Sequence, residues 1–228
     1  MSRKSRRDKQ CGRRSLDHRA MMSLDGDVLK VKAYTDHASA DAGRVATPEQ
    51  GAAGEVTLYD VTCTAPLPLS AREAARGITT RFDVSGSGYP LTAPLAVVTS
   101  PRKPFTTHVQ QGSGIVCLGS LWGELKGKEL LAELVLRVMR AFNYQDPATN
   151  ELGFQPDAFH YRQRLGRPFN AGLVLPAVPD EVFQVEGAAS EQRPRVAVVA
   201  TSASATRIPP RLAVGRPTRV AIVSGGRS

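Results

Sequence analysis

The thiolate serves both as a nucleophile and as a leaving group, and this sequence carries three thiols, at Cys11, Cys63 and Cys117. Their spacing forms neither a disulfide framework nor a zinc-ligand set. It fits a reducing compartment, where a lone thiol is either buried or reactive. Cys63 lies in an alternating stretch with apolar neighbours on its own face, which predicts burial. Cys11 lies in a basic N-terminal stretch and is incidental. Cys117 stands in the segment Gly114-Ile115-Val116-Cys117-Leu118, nine residues after His108. By position alone it reads as a small buried hydrophobe, the commonest fate of a free cysteine. His108 is close enough in sequence to share a loop with it, and an imidazole can both donate a hydrogen bond and move a proton. His160 reads as structural or exposed, and Trp122 as a packing residue beside the cysteine.

The elements that position these residues follow from hydropathy patterns. Residues 15–24 form a short helical segment with Leu16, Met21 and Leu24 as apolar contacts, closed by the turn Asp25-Gly26. Residues 28–34 alternate as a half-buried strand with Leu29, Val31 and Ala33 on one face. A polar, Gly/Ala-rich loop spans 36–54. Residues 55–64 are a second strand, with Val56, Leu58, Asp60 and Thr62 on one face and Tyr59, Val61 and Cys63 on the other. Strands over 78–84 and 95–99 follow. The connections are short enough for neighbours to pair, which predicts a four-stranded antiparallel meander. An irregular stretch leads to Cys117. A helix over 128–142 then places Leu131, Leu134, Val135, Val138, Met139 and Phe142 on one stripe, and a weaker helix spans Pro156–Leu165.

Within this order, Tyr89-Pro90, Pro94 and Gly114-Ile115-Val116-Cys117-Leu118 resemble the ubiquitin-conjugating enzymes. In that family a YP-x-x-x-P segment precedes an H-P-N motif, which leads into G-x-I-C-L with the acceptor cysteine. The resemblance covers residues 15–165 and implies an α+β, UBC-like fold: an N-terminal helix, a four-stranded antiparallel meander, an active-site loop and C-terminal helices. It implies that Cys117 accepts a ubiquitin-like protein as a thioester from an activating enzyme and passes it to a target. The incoming acyl group arrives already activated, so no tight Cys–His–Asp triad is required. The chain departs from the family where H-P-N would stand, reading Thr106-Thr107-His108-Val109. The family's Asn orders the loop and stabilises the oxyanion. His108 is the candidate for that role, and a loop imidazole bonded to backbone is the alternative. Replacing His108 by Ala is then expected to slow discharge more than loading. Family members place an acidic or polar residue after the long helix to orient or deprotonate the incoming amine. Asp146 is the candidate here, with Asn150 as the alternative.

The implied partners are an adenylating activating enzyme, a ubiquitin-like modifier and a protein target. No metal or organic cofactor is implied, because ATP is consumed by the activating enzyme. The implied setting is the bacterial cytoplasm, where such proteins are often encoded in antiphage-defence operons. A non-catalytic binding module on the same fold is the alternative: the broken H-P-N motif argues for it and the retained cysteine against it.

The formal charge of +9 divides unevenly along the chain. Residues 1–14 and 191–228 each carry a net +6, and the middle carries −3. The chain therefore reads as a flexible basic arm over 1–14, a domain over 15–165, an extension over 166–190 and a flexible Arg/Pro/Ser/Ala-rich tail over 191–228. The acidic middle lacks the aromatic-rich basic face of single-strand binders, so nucleic acid is not the expected partner. No run of about 18 apolar residues predicts a membrane span, and no apolar segment follows the basic start as in a secretory signal.

Overall fold

Strand pairing gives the molecule its frame. In the computed structural model, which describes residues 3–86, 88–123, 129–145 and 153–183, β1 (Leu29–Tyr34), β2 (Leu58–Cys63), β5 (Ile78–Asp83) and β6 (Leu95–Val98) form one antiparallel sheet in the order β1-β2-β5-β6. The register sets Val31 opposite Val61, Val61 opposite Thr80 and Phe82 opposite Ala96. The expected α+β class and four-stranded meander are therefore present. Side chains alternate between faces along a strand, so Leu29, Val31, Tyr59, Val61, Cys63, Ile78, Phe82, Ala96 and Val98 all turn into the core. Lys30 and Lys32 face solvent. On that outer face Arg81 grips the Asp60 carboxylate directly across the strand pair, at 2.8 and 2.9 Å. The free edge of β1 is blunted locally. Gly26 N–H bonds Leu29 O, Val31 N–H bonds the Asp25 carboxylate, and Ala46 N–H bonds Ala33 O, which removes the template that an open edge offers to another chain.

The helices fill the inner face. α1 runs from Arg3 to Met22, which corrects the expected start near residue 15. The expected boundary between arm and domain falls inside this helix. Polar groups tie down its second half. Arg13 Nε donates to Asp17 at 3.1 Å, the Arg13 guanidinium also reaches Glu129 O, and Arg14 donates to Val84 O at 3.1 Å. The polar stretch 36–54 also contains two short helices, α2 (His37–Asp41) and α3 (Pro48–Ala52). The Asp36 side chain caps the first. Thr47 and Gln50 form a capping box around the second, with Pro48 at its start. A small ribbon, β3 (Leu67–Pro68) with β4 (Ala74–Ala75), precedes β5.

Beyond the sheet lie α4 (Gly119–Gly123), α5 (Leu131–Phe142) and α6 (Pro156–Leu165). α5 is the central helix, leaving only Glu133, Arg137 and Arg140 partly exposed. Nine of its apolar side chains are buried, and each of the seven larger than alanine contributes about 1.5–3 kcal/mol by transfer from water. Its first N–H, on Leu131, is capped from another element. Asp17 of α1, 1% exposed, accepts Leu131 N–H at 2.9 Å, Tyr89 OH at 2.6 Å and Arg13. This carboxylate joins α1, the Tyr89-Pro90 segment and α5, where a negative group favours the positive end of the helix dipole. After α6 the chain returns to the C-terminal end of α5. Asn143, fully buried, bonds both the N–H and the carbonyl of Asn170, and Gln145 reaches Leu173 O. Leu173 is buried, and Leu175, Val178 and Val182 pack against the same core.

Candidate functional site

Cys117 ends a short extended segment held between two neighbours. On one side the segment joins the edge of the sheet, with Val116 N–H bonded to Ala96 O and Val98 N–H to Gly114 O. On the other it pairs with residues 108–110. Gln110 N–H bonds Ile115 O, Cys117 N–H bonds His108 O at 2.7 Å, and Val109 bridges Val116. Gly114 (φ +77) makes the turn between the two, and a Cβ there would lie 2.5 Å from Val98 O. Only glycine accommodates both the positive φ and this approach. Val116 and Leu118 are buried while Cys117 is exposed. Strand alternation thus turns the thiol outward while its neighbours anchor the backbone. The reading of Cys117 as a small buried hydrophobe is set aside by this exposure.

His108 is 4% exposed, and its Nδ1 lies 3.1 Å from the Cys117 carbonyl oxygen. A carbonyl only accepts, so Nδ1 carries the proton in this contact. Both backbone groups of Cys117 are therefore bonded to one residue, its N–H to the His108 carbonyl and its carbonyl to the His108 ring. Sequence spacing suggested proximity, and the structure brings the two residues together in this way. The histidine's contact is with the cysteine's backbone, the geometry of the bland alternative.

The opposite edge of the 104–109 strip is held by residues that sequence reading did not single out. Tyr144 OH donates to Phe105 O, Phe154 N–H to Thr107 O at 2.7 Å, and the Gln155 amide to Val109 O at 2.7 Å. Burial pushes the Tyr144 phenol upward, so it remains a donor. A Cβ on Gly153 would come within 2.1 Å of Thr107 O, so the chain passes closely against the strip. Gln155 precedes Pro156 at a helix start but does not cap the helix, which leaves its amide for another partner.

The remaining expected site residues are dispersed. Cys63 is fully buried, and burial pushes its thiol upward. Cys11 lies in α1. His160 is exposed and meets Phe159 edge-on at 5.5 Å between ring centroids. Trp122 packs beside Tyr89, with centroids 6.4 Å apart. Asp146, Asn150 and the tail over 191–228 lie outside the described residues. Among the described residues no cluster of three or more His, Cys, Asp or Glu side chains could hold a metal ion, and no helix is long and apolar enough to cross a membrane.

Fold and site together define an α+β domain with an antiparallel sheet and an outward-facing cysteine at the end of a doubly held segment. No protein-family model matches the chain, and neither the curated proteins nor the solved structures give a match.

Proposed function

We propose that this protein is a ubiquitin-conjugating-enzyme-like carrier that accepts a ubiquitin-like protein as a thioester on Cys117 and transfers it to a target. The observation that carries the reading is the contrast in exposure: of the two cysteines in or beside the sheet, only Cys117 is presented to solvent. In loading, the Cys117 thiolate attacks the thioester carbonyl of the charged activating enzyme. The new C–S bond forms as the activating enzyme's thiolate leaves. In discharge, an acceptor nucleophile attacks the Cys117 thioester, loses its proton and releases the thiol. The resemblance supplies the UBC-like fold, the activating enzyme, the modifier and the protein target, together with the cytoplasmic, bacterial and antiphage-defence setting. Asp146 remains the candidate for orienting or deprotonating the acceptor amine. The basic ends are proposed to dock on acidic protein surfaces.

The test is charging with ATP and the activating enzyme and modifier encoded by neighbouring genes. The expected product is an adduct that disappears on reducing gels and is lost in Cys117→Ala. A Cys117→Ala protein that still became charged would overturn the reading. The alternative is a non-catalytic binding module on the same fold. It draws support from the commitment of the His108 ring to the Cys117 backbone. It predicts modifier binding with no adduct in the wild-type protein.

A further inference from the structure

Gln155 is 9% exposed, and its amide nitrogen has two protons. One is directed at Val109 O, at 2.7 Å, and the other at Pro104 O, at 3.3 Å. A single side chain thus gathers two carbonyls from opposite ends of the 104–109 strip. The strip has two working edges. The carbonyls of Phe105, Thr107 and Val109 face Tyr144, Phe154 and Gln155, while the carbonyl of His108 and the N–H of Gln110 face the Cys117 segment. The strip bends through a turn in which Val109 N–H bonds Thr106 O, and this turn sets which groups reach each edge. Curvature imposed on one edge is therefore transmitted to the other across a single peptide unit.

We infer that Gln155 is a positioning residue for Cys117. By holding Pro104 O and Val109 O together it fixes the strip to which both backbone groups of Cys117 are bonded, and so sets where the thiol is presented. The inference rests on the reading of Cys117 as the reacting group. Pro104 O also accepts from Thr106 N–H and the Gln111 amide, so removing the Gln155 amide takes the donor from Val109 O, on the residue that bridges Val116, in a place where unsatisfied polar groups are costly.

The test uses the full-length chain with Gln155→Met, which keeps the length and flexibility of the side chain and loses the donor. Amide hydrogen exchange at Cys117 and Gln110 should quicken by about tenfold while the β2–β5 amides keep their wild-type rates. A second variant, Gln155→Glu, adds a readout that a merely structural role would not move. Its protonated carboxyl donates one hydrogen bond, whereas its ionised form repels both carbonyls. The ratio of its Cys117 exchange rate to that of the wild type should therefore rise as pH passes upward through the titration of the introduced carboxyl. Unchanged exchange at Cys117 and Gln110 in both variants, or a uniform rise across the sheet, would overturn the inference. These measurements need neither modifier nor activating enzyme. A wild-type protein that is never charged would sink the proposed function and leave Gln155 to be judged by exchange alone. With a chargeable wild type, Gln155→Met should lower kcat for loading several-fold with KM for the modifier unchanged. A change confined to KM would count against positioning.

Discussion

Cys63 and Cys117 each end an extended segment of the same antiparallel system, and their surroundings are opposite. Cys63 closes β2 on the face that meets the helices, pairs with Ile78 and has no exposed surface. Cys117 closes a segment added to the edge of the sheet, with Val116 turned inward in its place. One thiol fills space and its environment resists ionisation. The other is held by its backbone and touches water. Residue type is thus a poor guide to a cysteine's role, while the parity of its position along a strand is a good one.

Substitution of the two cysteines gives the largest contrast. Cys117→Ala should abolish the reducible adduct entirely, while Cys63→Ala should still be charged; read on non-reducing gels, the reverse pattern would exchange their roles. Next in size is alkylation by iodoacetamide, followed by peptide mass spectrometry. Cys117 should react at least about a thousandfold faster than Cys63, which is reached only through opening of the core. Comparable rates would break the comparison. A smaller effect is expected at His108. Because its ring bonds the Cys117 carbonyl, His108→Ala should slow loading and discharge alike, by about tenfold in single-turnover assays. The reading from sequence expects discharge to suffer more than loading, and the two single-turnover rates decide between these outcomes. In denaturant titrations Cys63→Ala should cost about 1–2 kcal/mol for the lost sulfur and the space it leaves, against about 0.5 kcal/mol or less for Cys117→Ala at the surface.

The smallest effect concerns the packing on the Cys63 side. His18 of α1 packs near Tyr59, its ring centroid 6.2 Å away, and burial lowers its pKa from the usual 6.5. The unfolded chain therefore binds a proton at a higher pH than the folded one. This stability is fully present above the unfolded value and declines as pH falls through it towards the folded value. Thermal midpoints should drop between pH 7.5 and 5.5, and His18→Gln should flatten that part of the profile. An unchanged slope would remove His18 from the account.

The sheet was legible because alternation is a local signal. Val31, Val61, Cys63 and Phe82 announce their face within a few residues. Pro156–Leu165 was legible from its opening proline. The first half of α1 was not, because residues 3–12 carry no apolar periodicity, and the anchors that hold the helix, Arg13 and Arg14, bond carbonyls far along the chain, at Glu129 and Val84. The short helices in 36–54 did carry signals: Thr47-Pro48-Glu49-Gln50 is a capping box with proline at the first position. They were hidden by a composition that reads as loop. Around the site, Cys117 and His108 were found from type and spacing. Asp17, Tyr144 and Gln155 were not, because each acts on backbone groups more than 30 residues away, and no local pattern records such a partner.

The pairing of both Cys117 backbone groups with His108 has a kinetic meaning of its own. With φ and ψ pinned, the sulfur keeps one principal freedom, rotation about Cα–Cβ, and that bond has three staggered wells. An incoming carbonyl then searches for a thiol among a few discrete positions. A cysteine on a mobile loop would present a continuous cloud of them, and reaching one geometry from that cloud costs entropy at the moment of encounter. Here that ordering was completed when the chain folded.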